Sequence, residues 1–440
     1  MDLLSEPLTG NNSPEKTRMV TTDLDDPAQG QIDPRTARLR SRARERIDQE
    51  KKNELLGLTQ RADYSRELDY FINLLNQDLS PKALSLRLER QVVALMCLQV
   101  PLEFFLALEL QPLRLYGGSL SAAKSAPPGL PALMCPLLRS LMGELIKDPS
   151  LAQLDWLVPT TCDWVSGFEN LRSLFIKESG RVRLIELPRR KEHPWASEHW
   201  LSEVAGLWEY LKKIAGRKAG RKDLIKAIET MERARTALAA LTALRRQGKV
   251  PAVYFFLITF SFFFDTVPNW ILATEKAVNY FNTLNSGQDN GHTGLFLTGS
   301  PVIFPNFKIL HLFDELGLKI LGDDMCSGER LLFRHVAIKD HSEEGLLRAL
   351  AETSHDGCLC PVFVENRRRL GPILEAKGEA EFKGVVFHLL KGCHPYEMDS
   401  LALERDLAEN NLRFIRLETD YTPEDSGNLL TRLEAFKSTL

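Results

Sequence analysis

The chain has 440 residues, 44% apolar and 26% charged, which is ordinary for a soluble globular protein and enough for two α/β domains. A net charge of −3 argues against a strongly basic nucleic-acid binder and gives no reason to seek an acidic membrane as partner. Seven cysteines, an odd number in a long chain, exclude a disulfide-stapled scaffold, and no secretory signal opens the sequence, so a reducing cytoplasm is the expected setting.

Residues 1–60 read as an N-terminal extension. Residues 1 to 34 are rich in Ser, Asn, Asp, Pro and Gly and are expected to be loosely attached. Arg35, Arg38, Arg40, Arg42, Arg44 and Arg46 follow. Interleaved acids and the lack of stacking aromatics favour a solvated helix over a nucleic-acid or partner-docking arm.

Residues 61–197 form the first predicted α/β lobe. Leu68, Phe71, Ile72 and Leu75 share one helical face. Strands are predicted at 113–116, 156–159 and 182–187, with helices over 133–145 and from Trp164. Residues 198–290 form a helical connector with weak points at Gly216 and Gly220. Residues 291–440 form the second lobe. Its strands are expected at 294–298, 319–321, 385–389 and 414–417, and its helices at 309–316, 343–352, 367–376, 401–409 and 426–436. Strands alternating with helices imply parallel sheets with right-handed crossovers. The run 253–264 is too short for a bilayer, which needs about 20 residues. Its β-branched and aromatic content predicts a buried strand.

In such sheets ligands gather outside the carboxyl ends of the strands. Cys162, Cys326 and Cys393 each fall just after a predicted strand. Cys135 lies near a helix start, where amides and the helix dipole favour a thiolate. Four thiols aimed at one rim suit a soft metal centre, although small buried cysteines at strand ends are also commonplace. A nucleophilic thiol at Cys393 beside His394 is disfavoured, because sequence neighbours rarely face each other. Cys358 and Cys360 share one face of an extended segment and can add ligands. Cys97, inside the apolar run 92–100, is expected to pack in the core. Loops of the GxxxxGK(S/T), GxGxxG and HExxH kinds are missing, so nothing supports ATP hydrolysis by that loop or a dinucleotide site.

The rim segments resemble the 2-hydroxyacyl-CoA dehydratase and benzoyl-CoA reductase superfamily, in particular the D-component of 2-hydroxyglutaryl-CoA dehydratase. The resemblance is carried in order by Pro101-Leu102-Glu103-Phe104, Leu133-Met134-Cys135-Pro136, Pro159-Thr160-Thr161-Cys162-Asp163, Leu297-Thr298-Gly299-Ser300-Pro301, Asp323-Asp324-Met325-Cys326-Ser327-Gly328, Leu390-Lys391-Gly392-Cys393-His394-Pro395-Tyr396 and Leu417-Glu418-Thr419-Asp420-Tyr421. It spans roughly residues 64–438.

The resemblance implies two Rossmann-like lobes joined by a helical segment, with a 4Fe–4S cluster held by Cys135, Cys162 and Cys393. It places 253–264 in a helical part, against propensity. It implies one-electron reduction of an acyl-CoA thioester, which expels the α-hydroxyl and acidifies the β-proton. An ATP-dependent iron–sulfur activator would supply the electron, and the partner would be a homologous second subunit or a second copy. Thr161, Ser300 and Lys391 are weak candidates for roles at the site. Two alternatives stay open. Cys326, Cys358 and Cys360 could complete a double-cubane 8Fe–9S cluster, as in a branch that reduces small molecules, or the chain could be a non-catalytic cluster-binding scaffold.

Overall fold

A computed structural model describes residues 34–440 apart from 116, 169–171, 174–180, 286–292, 333 and 365–366. The expectation for residues 1–34 falls outside this range except at Pro34, and the end of the strand expected at 113–116 also lies outside it.

Among the described residues, two four-stranded parallel sheets organise the chain. The first contains β1 (Val92–Leu95), β2 (Gln111–Arg114), β3 (Asp155–Pro159) and β4 (Val182–Ile185), in the order β2-β1-β3-β4. The second contains β5 (Thr293–Gly299), β6 (Leu318–Asp323), β7 (Gly384–Leu390) and β8 (Arg413–Thr419), in the order β6-β5-β7-β8. In both, the chain steps outward by one strand and then returns to the far side of the first. The β1/β3 and β5/β7 pairs are therefore topological switch points, where the crossovers diverge and leave a crevice at the carboxyl ends. The expected α/β class with two parallel-sheet lobes is what the chain adopts.

The helices that matter below are α1 (Pro34–Thr59), α2 (Pro136–Lys147), α3 (Ala196–Ala215), α4 (Arg221–Arg246), α5 (Ala252–Ser261), α6 (Val267–Thr283), α7 (Glu343–Asp356) and α8 (His394–Glu409). α3 stops at Gly216, whose φ of 61° is the left-handed cap that glycine adopts without strain. α4 restarts after Gly220. In α1, Arg38, Arg42, Arg44 and Arg46 stay exposed, while Ile47, Leu55 and Leu58 are buried. The basic stretch is therefore a helix with a solvated face. A single apolar cluster joins Leu55 and Leu58 to both sheets and to α4–α6.

The propensity expectation for 253–264 is wrong, and the helix implied by the resemblance is right. The segment is α5 followed by a 3-10 turn at Phe262–Phe264, and almost every side chain is buried. An element enclosed on all sides has no free sheet edge to pair with, and a helix closes its own backbone hydrogen bonds. β1 was not foreseen as a strand, and α8 begins seven residues earlier than the helix expected at 401–409.

Candidate functional site

Cys135, Cys162 and Cys393 come together from both lobes. Cys135 is the N-cap of α2 and Cys393 the N-cap of α8. Both helices carry proline at the first turn, which costs nothing there because that N–H has no helical partner. Cys162 follows β3 at the first sheet's switch point. The lobes press together at these loops. A Cβ built on Gly392, whose φ is 72°, would lie 2.1 Å from the Leu133 carbonyl oxygen and 3.4 Å from the Cys135 nitrogen. Glycine alone permits both the backbone turn and the approach.

The Cys393 thiol donates to the Cys135 sulfur. That bond, helped by the amides of Leu137 and Leu138 and opposed by burial, pulls the Cys135 thiol below its ordinary range. The same bond and burial push Cys393 well above it. Of the two thiols Cys135 is therefore the readier to lose its proton, and Cys162 is near enough to oppose that loss.

Ser300 braces this arrangement. Its amide donates to the His388 carbonyl at 2.7 Å, and His388 Nδ1 donates to the Ser300 carbonyl at 2.7 Å. Ser300 Oγ accepts from Leu390 N at 3.1 Å and interacts with Cys393. Thr161 is buried beside Cys162. Lys391 is half-exposed and paired with Asp420 at 2.7 Å. Sequence reasoning missed Tyr421, which packs on Cys135, Leu390 and Cys393. Its hydroxyl is buried with no hydrogen-bond partner among the described residues.

The expectation of four cysteines at one rim needs correction. Cys326 joins a second group with Cys97, Cys358 and Cys360, around a cavity of about 130 Å³. Cys97 is not simply a core residue. It lines this cavity, close enough to Cys326 and Cys358 to feel their charge, and burial raises its thiol to about 11. The rim rule would have found it had β1 been recognised, since Cys97 stands two residues past Leu95. Arg114, on β2, donates to the Cys326 carbonyl at 2.7 Å and to its sulfur at 3.0 Å. Gln99 Nε2 donates to the Cys358 sulfur.

A buried ion network fixes the loop that carries Cys326. Arg245 pairs with Asp323 at 2.8 Å, and Arg246 donates to Glu329 Oε2 at 2.8 Å. Arg369 reaches Asp324 Oδ2 and Thr298 Oγ1, each at 2.7 Å. Such charges are tolerated in the interior because each has a hydrogen-bonded partner.

Among the described residues, no set of three or more His, Cys, Asp or Glu side chains is arranged around a single metal ion. The donor chemistry at Cys135, Cys162 and Cys393 nevertheless fits an iron–sulfur cluster. All three are soft sulfur donors, two stand at helix N-termini that favour thiolate, and an orphaned Tyr421 hydroxyl lies beside them.

A family model for the 2-hydroxyglutaryl-CoA dehydratase D-component matches residues 97–440. The chain belongs to that family. It is 26% identical to a protein named as a dehydratase subunit, YjiM, of Escherichia coli (strain K12), over 78% of this chain and 90% of that protein. It is 20% identical to the (R)-phenyllactyl-CoA dehydratase beta subunit of Clostridium sporogenes, over 80% and 92% of the two chains. It is 21% identical to the beta subunit of (R)-2-hydroxyglutaryl-CoA dehydratase of Acidaminococcus fermentans, over 68% and 79%. The matched region begins at Cys97, so α1 lies outside it. Among the described residues, no helix is long and apolar enough to cross a membrane.

Proposed function

We propose that this chain is the cluster-bearing subunit of an oxygen-sensitive 2-hydroxyacyl-CoA dehydratase or of an acyl-CoA reductase of the benzoyl-CoA type. The observation that carries the reading is the meeting of Cys135, Cys162 and Cys393 from two sheets at a glycine-permitted contact between lobes. A 4Fe–4S cluster on these three thiolates would supply one low-potential electron and Lewis acidity toward a thioester. The protein's own part is to hold Cys393 through Ser300, to exclude water with the buried Leu390 and Tyr421, and to offer the Tyr421 hydroxyl as a donor toward the site. Relatives named as beta subunits support a partner subunit, and the exposed Leu133 and Met398, close in sequence to Cys135 and Cys393, suit its docking. An ATP-dependent iron–sulfur activator is the expected electron donor.

The second cysteine group favours a second reading. Cys326, Cys358 and Cys360, with Cys97 now added, supply enough thiols for a double-cubane 8Fe–9S centre in a reductase of small molecules.

Iron and acid-labile sulfide on anaerobically purified protein test both. About four irons per chain, lost in Cys162→Ser and kept in Cys326→Ser, support the first reading. About eight, falling in either variant, support the second. No iron after reconstitution sinks both redox readings and leaves only the fold standing.

A further inference from the structure

α1 roofs a cavity that the cysteine chemistry does not use. It is about 410 Å³, within the usual range for small-molecule sites. Its apolar wall is made by Leu115, Phe260, Phe264 and Phe304. Its polar side gathers five cations, Arg44, Lys51, Lys52, Arg114 and Lys147, against four carboxyl groups, Asp48, Asp78, Glu144 and Asp148.

The charges do not balance. Arg44 meets Asp148 at 3.4 Å, and Lys147 lies 3.8 Å from Asp48. Lys51 donates to the Gln77 carbonyl at 2.9 Å; burial lowers its affinity for a proton, and it feels Asp48 and Asp78 as well as the repelling Lys147 and Lys52, so it shares those carboxylates with its neighbours. Burial pushes Glu144 up to about 8, so it is uncharged at neutral pH and leaves positive charge in excess. Clustered ammonium groups beside aromatic rings, with a neutral carboxylic acid among them, form a receptor for an anion that carries a hydrocarbon body.

We infer that this cavity binds a small amphipathic carboxylate, its hydrocarbon part against Phe260, Phe264 and Phe304 and its carboxylate between Lys51 and Lys147, with Glu144 as hydrogen-bond donor. The site lies partly on α1, outside the family-matched region. It stands apart from the proposed cluster, although α2 runs from Cys135 at one end to Glu144 and Lys147 at the other.

The test is calorimetric titration of phenylacetate into the full-length protein, with benzyl alcohol as the uncharged control. Phenylacetate should bind, and the alcohol about tenfold more weakly or not at all. Lys51→Gln and Lys147→Gln should each weaken binding about tenfold. Should either lower the folded yield, Lys52→Gln on the exposed face of α1 is expected to weaken it in the same direction. The groups facing Glu144 are Lys147 and Asp148 from its own segment, Glu50 from α1 and Tyr421 from beyond β8. Wild-type binding should decline as pH rises through about 8 and Glu144 ionises, and Glu144→Gln should lose that step, keeping only the later decline as the buried Lys51 gives up its proton. Equal affinity for the alcohol, unchanged affinity in the lysine variants, or no binding at tens of millimolar would overturn the site. None of these outcomes depends on iron content.

Discussion

The Arg330 guanidinium donates to the Tyr396 hydroxyl at 2.8 Å, and this bond ties the two cysteine groups together. Arg330 lines the cavity of Cys97, Cys326, Cys358 and Cys360, while Tyr396 stands three residues past Cys393. Tyr396 is buried and Arg330 half-buried, so a lost partner is poorly replaced by water. Tyr396→Phe should destabilise the protein by about 1–3 kcal/mol in urea unfolding. Combined with Arg330→Met, the cost should fall short of the two single costs added together, because both remove one interaction. Strict additivity would show that the bond contributes nothing.

Acid should loosen the brace around Ser300. Burial pulls His388 from its ordinary 6.5 down to about 4, and its neutral ring donates to the Ser300 carbonyl. The unfolded chain takes up this proton first as pH falls. Stability from His388 is therefore complete above about 6.5, declines toward pH 4 and is gone below, a swing of about 3 kcal/mol. Denaturant unfolding from pH 7 to 4 should show this slope, and His388→Gln should flatten it over that window.

Sequence reasoning reached Cys162 and Cys393 because their strands announce themselves. Residues 156–159 and 385–389 are apolar runs closed by Pro159 and Gly392, and the residue beyond such a run must reach the rim. Cys97 escaped because β1 is only four residues inside the longer apolar stretch 92–100, with no internal punctuation. α8 was placed late because His394-Pro395 reads as a loop, although proline is favoured at a helix's first turn. Propensity alone misread α5, because strand propensity describes a half-buried pleated surface and this segment is enclosed on every side; the resemblance placed it correctly as a helix. Arg114 and Arg330 reach the cysteines over long sequence separations that no local pattern shows, whereas Tyr421 stands in the rim segment after β8 and only its contact with Cys135 was hidden.

Glu50 should be the clasp that seats α1. Its carboxylate accepts from Ser119 Oγ at 2.7 Å, from Leu120 N at 2.8 Å and from Ser121 N at 2.9 Å. Two further ties hold the N-terminal segment to the second lobe: Glu54 with His311 at 2.8 Å, and Arg61 with Asp314 at 2.7 Å. Glu50→Ala leaves two amides and a hydroxyl without their charged acceptor and should cost about 2 kcal/mol. Protease cleavage within α1 should quicken before the rest of the fold is attacked. Glu50→Gln keeps an acceptor oxygen and should lose less. Unchanged cleavage in Glu50→Ala would mean that α1 is seated by its apolar face and its other polar ties, without help from Glu50.

The contact at Gly392 makes the sharpest test of the proposed cysteine site. Alanine there must adopt a left-handed backbone, at a cost of about 1–3 kcal/mol, and its methyl would overlap the Leu133 carbonyl unless the loops part. Parting them moves Cys393 away from Cys135. Gly392→Ala should therefore lose both stability and the iron bound by anaerobically reconstituted protein. Gly371→Ala is the control, since a Cβ there meets nothing within 4 Å and its backbone is helical. It should be neutral or slightly stabilising, with iron unchanged. If Gly392→Ala kept its full iron while losing stability, the close approach of the lobes would serve packing alone, and Cys135 and Cys393 would not need it to act as a pair.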